Sequence, residues 1–220
     1  IDGGNVADSY LAIVGDDDAG LLIEGLTFRN FRGSLNGAAV KLVLDVGTSD
    51  AALYQIRYSR FLNNTANQVV DMSGAQLRFV DNLVANNTLV GAAIRTAVYA
   101  KYTYDANTGV VANNNTIAAN TGGSGLVVDS ASQISSRITE IADNIIWGNG
   151  GTDLQVTDLG LLNPSLISYN LYGTHAGLPL TADNISANPQ FINAAANNFG
   201  LLVTSPAINS GAPIQLNGFP

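Results

Sequence analysis

An apolar residue followed three positions later by asparagine recurs along the chain: Phe61 to Asn64, Val84 to Asn87, Ile117 to Asn120 and Ile146 to Asn149. Tyr172 repeats the spacing with His175 in the asparagine slot, and Phe28 repeats it with Phe31 there. From Phe28 to Tyr172 the anchors lie 33, 23, 33, 29 and 26 residues apart. A period that drifts this far does not fit a rigid helical unit. It suits a solenoid whose turns absorb insertions while its strands stay in register.

Two further runs accompany each anchor. Gly37-Ala38-Ala39-Val40 returns as Gly91-Ala92-Ala93-Ile94, and more loosely as Gln68-Val69-Val70, Gly125-Leu126-Val127-Val128 and Thr152-Asp153-Leu154. Leu53 to Tyr58, Leu77 to Val80, Val110 to Ala112 and Ile138 to Ile141 lead into the next anchor. Each turn thus carries three short alternating runs broken by Gly, Asn and Ser, which is strand patterning with turn chemistry between. No segment holds helical periodicity for three turns. The predicted fold is all-β: a right-handed, single-stranded parallel β-helix of about six coils, with three parallel sheets around a dry core. It forms one domain over 1–220, with an opening coil at 1–27, repeats over 28–175 and a closing segment at 176–220.

In such a stack the same position of successive coils lies about 4.8 Å from its copy. Asparagines there can donate and accept along a ladder, and asparagine tolerates the left-handed backbone of tight bends. Asn64, Asn87, Asn120 and Asn149 are therefore read as a structural ladder rather than as sugar-binding amides.

The pairing of the GAAV/GAAI runs with the FxxN-like anchors resembles the GGA[I/V] and FxxN repeats of bacterial polymorphic outer membrane protein passenger domains. Gly25-Leu26-Thr27-Phe28-Arg29-Asn30 is similar to a first coil of that kind, and Ile1-Asp2-Gly3-Gly4-Asn5 to an opening coil of β-helix proteins. Asn188-Pro189-Gln190-Phe191 and Ser205 to Gly211 look like the closing segment of secreted bacterial β-helix proteins. The resemblance implies an extracellular or cell-surface location and a structural or adhesive role. No C-terminal membrane barrel follows in this sequence.

Composition narrows the partners. Hydrophobic residues make up 46% and charged residues only 12%, so Asn, Ser and Thr supply the polar surface. Nine Lys and Arg against seventeen Asp and Glu give a net charge of −8, which argues against nucleic acid and against anionic membrane. With no cysteine and a single histidine, a Cys- or His-based zinc site is excluded. The chain opens at Ile1 with no capping helix ahead of it, so another copy or further sequence is expected to cover that end, giving a head-to-tail fibre if the contact repeats.

Candidate chemistry falls in four places. Aligning the second runs puts Lys41, Asp71, Arg95 and Asp129 at one position of successive coils, with Gln155 next. Alternating charge at that spacing reads as a salt-bridge ladder on a sheet face. Its chemical alternative is a polysaccharide lyase site, with Lys or Arg taking the proton beside a uronate carboxylate and Asp or Ca²⁺ neutralising it. Asp16, Asp17 and Asp18 form the densest acidic run, read as a solvated turn with weak capacity for Ca²⁺, the sole cofactor considered. Asp81, Asn114 and Asp143 fall in register, a separation compatible with inverting glycoside hydrolysis. Tyr99, Tyr102 and Tyr104, around Lys101, are carbohydrate-binding candidates in what reads as a protruding insertion. The overall expectation is a non-catalytic extracellular module, with a carbohydrate-active enzyme on an acidic polysaccharide as the alternative.

Overall fold

A computed structural model describes residues 1–7, 9–15, 20–33, 38–44, 53–74, 76–91, 95–102, 109–130, 140–157, 166–177, 180 and 183–213. The chain is a parallel β-helix. The first six coils each contribute one strand to each of three sheets, a seventh adds strands to two of them among the described residues, and all the pairings within those sheets are parallel. Sheet I holds Leu11–Gly15, Ala38–Leu44, Gln68–Gly74, Thr96–Tyr102, Ser124–Ser130, Leu154–Thr157 and His175–Gly177. Sheet II holds Leu21–Glu24, Leu53–Arg57, Gln76–Val80, Gly109–Asn113, Glu140–Ala142 and Leu166–Ser168. Sheet III, of the shortest strands, holds Thr27–Arg29, Arg60–Leu62, Leu83–Ala85, Thr116–Ala118, Ile145–Trp147, Leu171–Tyr172 and Ile185–Ser186.

Alternation along each strand sends one side chain in two to the axis. Val40, Val70, Val98, Leu126 and Leu154 stand in register in sheet I and are buried. Ile56, Phe79, Ala112, Ile141 and Ile167 do the same in sheet II, as do Phe28, Phe61, Val84, Ile117 and Ile146 in sheet III. Phe28 lies flat on Phe61, with centroids 5.0 Å apart and planes 6° from parallel. Each apolar anchor thus rests on the equivalent residue of the next coil, and the stacked rows make one continuous core.

Two corners of each coil, between sheets II and III and after sheet III, are built alike. A residue in the left-handed region precedes each ladder residue: Asn63, Asn86 and Ala119 precede buried Asn64, Asn87 and Asn120, and Gly148 precedes half-buried Asn149, at one corner. Tyr58, Asp81, Asn114, Asp143 and Tyr169 precede Ser59, Asn82, Asn115, Asn144 and Asn170 at the other.

The closing segment adds Ile185–Ser186 to sheet III beside Leu171–Tyr172 and then turns back along the stack. Its antiparallel pair, Phe191–Asn193 with Asn198–Leu201, lies beside the third coil, where the Asn86 amide donates to Ala194 O (2.9 Å) and Asn197 Oδ1 (2.8 Å). Further on, Ala212 N donates to the Asp143 carboxylate (2.6 Å). The segment runs back along the outer side of sheet III as a strap. Leu62, Ala85 and Ala118 point away from the core by alternation and are nonetheless buried, so this side of the sheet is covered.

Candidate functional site

Asparagine at the corners forms two ladders. In the first, Asn64 N and Nδ2 donate to Asn87 Oδ1 (2.8 and 3.0 Å), Asn87 to Asn120 (3.1 and 2.7 Å), and Asn120 to Asn149 (3.3 and 2.8 Å). The second proton of each amide goes to a backbone carbonyl two coils below its acceptor, such as Phe61 O for Asn87 (3.0 Å). Every polar atom of an interior rung is satisfied. Sequence reasoning placed these four asparagines correctly.

It missed the second ladder. Ser59 N donates to Asn82 Oδ1 (2.9 Å), and Asn82, Asn115, Asn144 and Asn170 each donate from N and Nδ2 to the next, ending on Asn184. Its rungs are separated by 23, 33, 29 and 26 residues up to Asn170, the same intervals as the apolar anchors. That coincidence was the available signal. Asp81, Asn114 and Asp143, read as a carboxylate pair around an amide, are the left-handed residues that set up this corner, with φ of 57°, 57° and 58°.

His175 does not occupy the rung after Asn149. It pairs with Leu154 in sheet I, is exposed, and meets the edge of Tyr172. The rung is filled by buried Asp153. Its Oδ1 accepts from Asn149 N (2.9 Å) and Nδ2 (2.8 Å), and its Oδ2 accepts from Thr174 N (3.0 Å).

Of the charged candidates, Lys41, Asp71 and Asp129 lie in sheet I, though not in one row, and Arg95 does not. Register sets Lys41 beside Asp71, Asp71 beside Tyr99, Tyr99 beside Val127 and Val127 beside Gln155. Asp129 lies two residues further along, beside Lys101. Arg95 is exposed and precedes the strand that begins at Thr96. The Gly91 to Ile94 run imitates the strand motif, but Thr65 is three residues before Gln68 whereas its partner Thr88 is eight before Thr96. Five extra residues at that corner displace the alignment.

What this face brings together is a small network. Lys41 Nζ lies 3.7 Å from Asp71 Oδ2. Tyr99, expected on a protruding loop, sits in the sheet with its ring buried, and its hydroxyl donates to Asp129 Oδ2 (3.0 Å). Burial, then the Asp129 charge, pushes the Tyr99 hydroxyl well above the ordinary phenol range, so it stays a donor. Burial also raises the Asp71 carboxyl, against the opposing pull of Lys41 and Lys101. Its Oδ1 is enclosed and has no hydrogen-bond partner. Tyr102 is in the same strand, opposite Gly74 and Ser130. Its side chain, Tyr104, and Asp16, Asp17 and Asp18 lie outside the described residues. Among the described residues, no three His, Cys, Asp or Glu side chains are grouped as a metal site.

No family model, curated protein or solved structure matches this chain.

Proposed function

We propose that this chain is a non-catalytic structural and adhesive module of an extracellular or cell-surface protein. The observation that carries the reading is how the outer polar groups of sheet I are spent. Lys41 is drawn to Asp71 and the Tyr99 hydroxyl is committed to Asp129. The carboxyl that burial raises, Asp71, has its free oxygen closed off from solvent, where it cannot meet a polysaccharide. A lyase needs a cationic base beside a carboxylate-neutralising group at an accessible point on the chain of sugars. Arg95, the second base of that alternative, stands off the sheet. The resemblance of the repeats to polymorphic outer membrane protein passengers supports the same reading, as do two unbroken asparagine ladders, a device for rigidity.

The partner proposed at the coil ends is a second copy or the remainder of a longer chain. Among the described residues, Leu11–Gly15 and His175–Gly177 are the outermost strands of sheet I, and parallel edges of opposite ends can pair head to tail. Of the exposed large apolar side chains, Ile1, Val6, Tyr10, Leu22 and Leu26 lie in the opening coil, which suits association there.

Incubation with pectate, alginate and hyaluronan, with and without calcium, should give no unsaturated-uronate absorbance, and sedimentation of the same protein should show concentration-dependent association. A calcium-dependent absorbance abolished by Lys41→Ala would replace the module reading with the lyase. Monomers at every concentration would remove the second copy.

A further inference from the structure

Four Asn-X-Thr/Ser triplets with no middle proline stand in the sequence: Asn63-Asn64-Thr65, Asn86-Asn87-Thr88, Asn114-Asn115-Thr116 and Asn184-Ile185-Ser186. Such a triplet is the acceptor for a sugar on its first asparagine. The fold accounts for the middle residue of the first three, which is a ladder rung each time. It does not demand the other two positions. Corners of the same build begin with Ala119, Gly148 or Tyr58, and they carry Arg32, Leu83 or Ile145 where the threonine stands.

The four asparagines differ in what holds them. Asn63, Asn86 and Asn114 sit at left-handed corners, with φ of 56°, 54° and 57°. Asn63 and Asn114 are exposed, and their side-chain amides have no hydrogen-bond partner among the described residues. Asn86 is half-buried, and its amide gives one bond to Ala194 O (2.9 Å) and one to Asn197 Oδ1 (2.8 Å), both on the strap. Asn184 ends the second ladder: its Oδ1 accepts from Asn170 N (3.0 Å) and Nδ2 (2.9 Å), and its own Nδ2 donates to Ile167 O (2.7 Å).

We propose that Asn63 and Asn114 are glycan attachment sites on the folded chain, and that Asn86 and Asn184 are not. The co-reactant is a sugar activated by phosphate at its anomeric carbon. The bond from Asn Nδ2 to that carbon forms and the bond from the carbon to the phosphate oxygen breaks. The phosphate leaves with the electron pair, and one amide proton passes to a base of the transferase. A carboxamide nitrogen is a poor nucleophile because its lone pair is shared with the carbonyl, so the enzyme has to grip the amide and turn it out of plane. Asn63 and Asn114 present an amide free to be gripped. Asn86 would first have to give up both strap contacts, and Asn184 would have to open the end of a ladder. Sugars at two corners would hydrate a chain with only 12% charged residues. The inference goes beyond the module reading and does not depend on it.

Peptide mapping by mass spectrometry, on the chain isolated from the cells that make it, tests this. Peptides holding Asn63 and Asn114 should carry the added mass of one hexose or more, and those holding Asn86 and Asn184 should carry none. Thr65→Ala should abolish the addition at Asn63 alone, and Thr65→Ser should keep it. A bare Asn63 or Asn114, a sugar at Asn86 or Asn184, or an addition at Asn63 that survives Thr65→Ala would each overturn the inference.

Discussion

A side-chain amide accepts on its oxygen while donating from its nitrogen, so asparagine can repeat without limit up a parallel stack. Both ladders run one way, with donors on the lower coil and acceptors on the next. The last rung must accept from the rung below without an asparagine above it to receive its own protons. Asp153 meets this at the end of the first ladder, because both of its side-chain oxygens receive protons. Asn87→Ala strands the buried Asn64 N–H and Phe61 carbonyl, and should cost about 2–4 kcal/mol in denaturant unfolding. Asp153→Asn keeps the bonds from Asn149 but turns an acceptor for Thr174 N into a donor, and should cost about 1–2 kcal/mol. Asp71 gives the opposite sign. Its folded pKa is raised above the unfolded value of about 3.9, so its favourable contribution is complete below that value and is lost as pH rises through the folded pKa. Asp71→Asn should therefore raise the melting temperature at pH 7, with the gain shrinking by pH 3; an equal gain at both would contradict it. The first ladder was legible because its asparagine stands at a fixed distance from an apolar anchor. The second was obscured because the residue before it varies among Tyr, Asp and Asn, and because its first member is Ser59.

At the scale of the strand, legibility depended on what fixes register. Strand existence followed from alternation: the first three sheet II runs appear where the pattern put them, and of Ile138 to Ile141 the first two residues lie outside the described ones while the rest falls in Glu140–Ala142. Charge rows did not, because a five-residue insertion at one corner slid Arg95 off the sheet and let Tyr99 take its place. Corners also decide where a side chain is forbidden. A Cβ on Gly125 would sit 2.5 Å from Asp153 O, 2.7 Å from Asn149 Nδ2 and 2.8 Å from an Ile146 methyl, wedged between the ladder and the next coil. Gly125→Ala should destabilise by about 1–3 kcal/mol, the usual range for overpacking, in thermal or urea melts. An unchanged midpoint would mean the coils can part at no cost.

Across the whole molecule, the sequence could number the coils but could not show that the closing segment doubles back. Nothing in 188–212 names its contacts at Asn86 and Asp143, which are 108 and 69 residues away from their partners. That return path is also what brings Asn197 near Arg29 and Arg60 of the first coils, a proximity invisible to any reading of neighbours in sequence. The ladders carry one last implication, for a protein under tension. All of the inter-coil hydrogen bonds lie along the solenoid axis, so stretching by the two ends loads one layer at a time instead of shearing a whole sheet. In single-molecule pulling the strap should let go first, followed by coils in discrete events. Coils of 23 to 33 residues would each release about 75–120 Å of contour length. The force record should therefore be a sawtooth with unequal teeth, each spacing set by the length of the coil released.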